Sequence, residues 1–155
     1  MFKIGDIMRT SFDKAFEITI GLEGKPSNDP RDPGGFTIWG LAYKYHPHIS
    51  METTLAEAKE IYLNEYWIPA GCDAAPFPMD ICLFDSQVNP QNDPKWPGGG
   101  NQEIVNLKPD NWQEYQLFRM MRYLRNSKSV FVLGHIARVL RLSQQILEID
   151  NARSY

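Results

Sequence analysis

The chain has 155 residues, a formal net charge of −3, 43% hydrophobic and 23% charged residues. That is the length of one ordinary domain with enough chain to bury a core. It lacks the basic surplus of a general nucleic-acid binder, and its charge does not favour adhesion to anionic membranes or walls.

The N-terminal segment has no basic stretch leading into an apolar run. No cleavable signal, no transmembrane helix and no stable membrane insertion are expected. From Phe12 to Leu22 the chain reads as a helix. Phe12, Phe16, Thr19 and Glu23 follow i, i+4, i+7, i+11 spacing, so Glu23 continues the apolar stripe. Gly24 and Pro26 end it. Residues 24–36 are a loop broken repeatedly by Pro and Gly. Thr54 to Trp67 is a second helix, opened by a Thr54/Glu57 capping box, with Leu55, Ala58, Ile61 and Tyr62 inward. Residues 68–78 connect. Met79 to Asn89 suits a buried helix, with a strand as the alternative for so short a run. Residues 90–101, "PQNDPKWPGGGN", are the strongest break. Trp112 to Leu124 and Ser129 to Asp150 are two further helices, the last with Val132, Ile136, Val139, Leu140, Ser143, Ile146 and Leu147 on one face. The fold class is mainly α, with a constrained loop or a small β-hairpin within residues 30–45.

Cys72 and Cys82, in a Pro-rich stretch, read as reduced, partly buried thiols rather than a disulfide. No Cys/His spacing resembles a zinc site, and neither metal nor cofactor is expected.

The loop after the first helix carries chemistry. Glu23 extends an apolar stripe and sits at a helix C-terminus, and both effects raise a carboxyl pKa. Such a group can act as a general acid. Asp29 and Asp32 lie in a polar loop, where carboxylates stay ionised. One raised and one ordinary carboxyl is the pairing that glycoside hydrolysis uses. Ordinary turn chemistry also accounts for Asp-Pro and Pro-Gly-Gly.

"EGKPSNDPRDPGGFTIWGL" is similar to the signature of the phage and prophage N-acetylmuramidases of glycoside hydrolase family 108. Glu23, Gly24, Asn28, Asp29, Pro30, Asp32, Pro33, Gly34, Gly35, Thr37 and Gly40 match, with Trp39 for the usual Tyr and Leu41 for Ile. Tyr66, Trp67, Phe84, Asp85, Val88 and Asn89 resemble the family's later Tyr-Trp and Phe-Asp-x-x-Val-Asn segments. "GHIARV" faintly resembles the Gly-Trp-x-x-Arg-Val motif of its C-terminal peptidoglycan-binding part. The resemblance implies a single lysozyme-like domain over 1–155, with a catalytic part over about 1–90 and a helical C-terminal part over about 95–155. It implies an endolysin-type, bacteriolytic lysozyme that cleaves the MurNAc–GlcNAc β-1,4 bond of peptidoglycan glycan strands. Glu23 falls on the family's catalytic acid. Glu23, Asp32 and Thr37 also resemble the wider phage-lysozyme triad, with Thr37 positioning water.

Three departures stand out. Lys25-Pro26 replaces the usual Gly-Tyr after Glu-Gly, "NPQ" replaces Asn-x-Gly after the Phe-Asp segment, and His135 replaces Trp in "GHIARV". Lys25 would lower the Glu23 pKa if it turned inward, and matters little facing solvent.

Asp29, Trp39, Tyr43, Asp85 and Asn89 are candidate substrate-binding residues. Trp39 and Tyr43 could stack on sugar faces or pack in the core. Asp85 reads as a cleft residue or, by default, a buried brace. Asn89 reads as an N-acetyl ligand or a helix end. His46 and His48 read as a surface turn, because Pro47 separates them and no third ligand is near in sequence. Arg119, Arg122, Arg125 and Lys128 form a ladder that would bind anionic wall polymer or simply face solvent.

The leading expectation is therefore a muramidase, made in the cytoplasm without a signal peptide and acting in the periplasm or at the wall, with holin-dependent export. The alternatives are a lytic transglycosylase and a non-catalytic peptidoglycan-binding protein on a degenerate lysozyme scaffold.

Overall fold

A computed structural model describes residues 4–22, 26–28, 35–89, 104–126 and 129–153. It is mainly helical with one small antiparallel hairpin, as the sequence implies. The elements are α1 (Ile4–Leu22), β1 (Thr37–Ile38), β2 (Leu41–Ala42), α2 (Leu55–Tyr62), α3 (Met79–Val88), α4 (Trp112–Asn126) and α5 (Ser129–Arg153). A π turn, Leu63–Trp67, continues α2, and a 3₁₀ turn covers Cys72–Ala74. No described helix is long and apolar enough to cross a membrane.

The boundaries follow local chemistry. α1 begins eight residues before the expected Phe12 and is described as far as Leu22; the expected stop at Gly24 lies outside the described residues. α2 starts at the expected capping box: the Thr54 hydroxyl accepts from the Glu57 N–H, and the Glu57 carboxylate accepts from the Thr54 N–H. α3 is a helix and not a strand. Seven of its consecutive residues, Asp80 to Ser86, are buried, so it runs through the interior with no solvent face there.

The core is aromatic. Phe12 meets Trp67 and Phe84 edge to face at 5.4 and 5.9 Å, and Phe16 meets Tyr62 at 5.6 Å. The same buried cluster takes in Ile104, Trp112, Tyr115, Leu142 and Ile146 from the later part of the chain. On α5 the buried stripe is Val139, Leu142 and Ile146, whereas Leu140 and Leu147 are exposed. The expected face was thus placed one residue off along part of the helix. Leu142 falls on the 3.6-residue line through Val139 and Ile146, and Leu140 and Leu147 lie beside it.

Cys72 and Cys82 are free and fully buried rather than partly so. Burial pushes both thiols far up, which keeps them protonated and unreactive.

Candidate active site

The stretch between α1 and the hairpin is closed at its base. Ser27 and Thr37 form an antiparallel bridge, with Ser27 N–H donating to the Thr37 carbonyl at 3.0 Å and Thr37 N–H to the Ser27 carbonyl at 2.7 Å. Thr37 is therefore fixed beside the chain that leaves α1. Glu23, Asp29 and Asp32 lie outside the described residues.

Beyond Thr37 the chain turns sharply. Thr37 pairs with Ala42 and Ile38 with Leu41, which leaves Trp39 and Gly40 as a two-residue turn. Both have positive φ, 52° and 79°. That is the left-handed pair a tight hairpin demands, met here by Trp-Gly where Asn-Gly is usual. A left-handed conformation costs a bulky L-residue roughly 1–2 kcal/mol. Trp39 is held there from two sides: its indole N–H donates to the Thr53 carbonyl at 2.8 Å, and its own carbonyl accepts from the Tyr62 hydroxyl at 3.0 Å. Of its two expected readings, the structure gives it a framework role, with its polar edge committed.

Tyr43 differs. It is 43% exposed, and its ring lies against Phe36 across the hairpin at 5.1 Å. Gly35, at φ 75°, sits against the same ring, so the second glycine of "PGG" supplies a backbone angle that other residues resist. Tyr43 presents a supported aromatic face to solvent.

A polar groove of about 380 Å³ opens at the C-terminal end of α1, lined by Gly21, Arg141, Gln144, Gln145 and Glu148. Gly21 is two residues before Glu23. The Gln145 side-chain oxygen is buried without a protein partner. These α5 residues were not singled out in the sequence. The signal in the sequence is the adjacent Gln144-Gln145 pair between apolar Leu142 and Ile146.

Asp85 and Asn89 are not brought to this groove. The Asp85 carboxylate is 1% exposed and meets Arg119 at 2.7 Å and Arg138 at 2.8 Å. Burial raises its pKa, but the two guanidinium groups outweigh that and hold the carboxyl below its ordinary range. It is a brace with no face left for substrate, which removes it from the candidate ligands. Asn89 ends α3. With its amide oxygen turned toward Arg138 it accepts at 2.6 Å, and its carbonyl accepts from the Tyr123 hydroxyl at 3.3 Å. Its carboxamide thus belongs to the same brace. The ladder expectation also fails at Arg119 and Arg122, which are 1% and 3% exposed. His135 stacks on Tyr123 at 4.7 Å.

The surface-turn reading of His46 and His48 fails for His46, which is 4% exposed. Burial lowers its pKa, opposed in part by Glu65. Glu65, supplied by the π turn, stands beside both imidazoles.

Residues 16–90 match the family model for glycosyl hydrolase 108. This segment belongs to that family. The match runs from inside α1 through the loop, the hairpin, α2 and α3, and so contains Glu23, Asp32 and Thr37. The match supports a glycoside hydrolase with a glycan substrate, and at family level a peptidoglycan hydrolase. No curated protein and no solved structure matches the chain.

Proposed function

We propose that this glycosyl hydrolase 108 protein is an N-acetylmuramidase that cleaves the β-1,4 bond between MurNAc and GlcNAc, with Glu23 as general acid and Asp32 as its partner. The observation that carries the reading is the family match across residues 16–90, which spans both carboxylates and Thr37. The Ser27–Thr37 bridge supports it, because it ties Thr37 to the chain leaving the helix that Glu23 follows.

In this reaction Glu23 donates its proton to the glycosidic oxygen. The C1–O bond then breaks with its electron pair going to that oxygen, and positive charge develops on the sugar ring. Asp32 either deprotonates the attacking water or stabilises the cation from the other face, and Thr37 orients the water. The anomer of the first product distinguishes inversion from retention. The exposed Tyr43 ring offers a stacking face to the C–H side of a pyranose. Gln145 offers an acceptor to a sugar hydroxyl or N-acetyl N–H in the groove beside α1.

The test is mass spectrometry of products from purified peptidoglycan, with wild type and Glu23→Gln side by side. Hydrolytic muropeptides with reducing MurNAc ends, lost in the variant, are the expected result. Anhydro ends would reassign the protein as a lytic transglycosylase. Wall binding without soluble product would make it a binding protein on this fold, the reading that the Lys25-Pro26 departure favours.

A further inference from the structure

Three metal-ligating side chains that line no part of the groove converge. The turn that leaves β2 carries His46, whose backbone N–H donates to the Ala42 carbonyl at 3.1 Å and whose carbonyl accepts from the Ile49 N–H at 3.1 Å. His48 follows two residues on, and Pro47 between them stiffens the turn. From the other side comes the π turn Leu63–Trp67, closed by the Ile68 N–H on the Leu63 carbonyl at 3.0 Å. A π turn is wider than an α turn, so adjacent residues diverge less around its axis. Glu65 and Tyr66 consequently both reach His46. The Glu65 carboxylate lies 2.9 Å from His46 Nδ1 and 3.5 Å from His48 Nε2. One ligand atom from each of the three residues falls within 4.8 Å of the others.

Two details separate this arrangement from a chance surface ion pair. His46 Nδ1 is buried and, although close to Glu65, makes no aligned hydrogen bond. The opposite nitrogen, Nε2, is 2.7 Å from the Tyr66 hydroxyl. That contact fixes the ring's orientation, and with a metal on Nδ1 it would leave Nε2 to donate its proton to the Tyr66 hydroxyl, which is how metal-bound imidazoles are held. His48 and Glu65 are 54% and 42% exposed, so their side chains can adjust by rotation while His46 stays put.

We propose that His46, His48 and Glu65 bind a divalent transition-metal ion, zinc fitting best, and that Tyr66 orients the His46 ring for it. Two imidazoles and one carboxylate are a borderline-soft donor set that suits zinc and disfavours magnesium or calcium, which take mainly oxygen. Three protein ligands leave a fourth position for water on the exposed side. The ion ties the turn following the hairpin to the end of α2, 17 residues from the second histidine. A clip of that kind holds the sheet that carries Thr37 against the aromatic core. The site is separate from the glycosidase reading and stands whether or not Glu23 is the acid.

The experiment is calorimetric titration of the metal-stripped full chain with zinc chloride, repeated by thermal melting with and without zinc. The variants are His48→Gln, Glu65→Gln and Tyr66→Phe, each checked for wild-type circular dichroism. His48 and Glu65 are exposed, so their variants keep the fold. Wild type should bind one zinc per chain and melt higher with it. His48→Gln and Glu65→Gln should each lose at least tenfold in affinity, and Tyr66→Phe about 10- to 100-fold. A cobalt-substituted protein should show a spectrum without thiolate bands, which excludes Cys72 and Cys82 as ligands. No zinc-dependent shift in wild type, or wild-type affinity in His48→Gln and Glu65→Gln, overturns the proposal.

Discussion

Asp85 and Glu65 each gather two nitrogen-bearing side chains around one carboxylate, and they arrive at opposite designs. Asp85 meets Arg119 and Arg138 with its side chain 1% exposed. Glu65 meets His46 and His48 at the edge of the molecule. Guanidinium groups stay charged and have no lone pair to give, so the first cluster can only brace and lock. Imidazoles can be neutral and keep a lone pair, so the second has donor capacity left over. What a buried or half-buried carboxylate can do is thus decided by the chemistry of its neighbours more than by its own.

The largest expected effect breaks the closed cluster. Asp85→Asn takes from the buried Arg119, and from Arg138, the carboxylate that they share. It should cost roughly 3–5 kcal/mol of folding free energy by urea denaturation, because an uncompensated buried charge is expensive. An unchanged midpoint would mean that Asp85 contributes nothing as a brace. The next effect is in pH. The Asp85 pKa is depressed in the fold from an ordinary value of 3.8, so its stabilisation is complete above that value and drains away as pH falls through the folded pKa. Wild type should lose stability steeply below about pH 4. Asp85→Asn should show a flatter acid limb, and parallel limbs would place the acid sensitivity elsewhere.

Smaller effects sharpen the open side of the comparison. Trp39→Phe keeps the ring but removes the hydrogen bond to Thr53, and should cost about 1 kcal/mol in the same assay. Glu65→Gln, in the presence of a chelator, should cost no more than about 1 kcal/mol, because its carboxylate is substantially exposed and the pair is solvent-screened. A loss as large as that of Asp85→Asn would erase the distinction between the two clusters.

Local signals were legible in the sequence, and long-range pairings were not. The Thr54/Glu57 capping box, the hairpin within 30–45 and the helices around Met79, Trp112 and Ser129 all follow from residues within a few positions of one another. The motif around Glu23 was equally local, and the family match covers it. Arg138 pairs with Asp85 across 53 residues, and Arg119 across 34, so a ladder of arginines at helical spacing looked like a solvated face. His46 failed for the same reason. Its third neighbour is on another element, and a π turn, which no periodicity announces, brings that neighbour into reach. The α5 face slipped because Leu140 and Leu147 are as apolar as the residues that do bury.

The ion pair between Asp85 and Arg138 also bears on modularity. The segment that carries the family's signature ends at residue 90, yet the counter-charges for the buried Asp85 come from α4 and α5. Cut out and grafted onto another partner, residues 16–90 would carry an orphan carboxylate and an uncovered aromatic core. Recombination of this protein by exchange at the Pro/Gly-rich stretch over 90–101 therefore has to move a matched pair of halves. A library of such chimeras should yield soluble protein only where the acceptor half also supplies the two arginines.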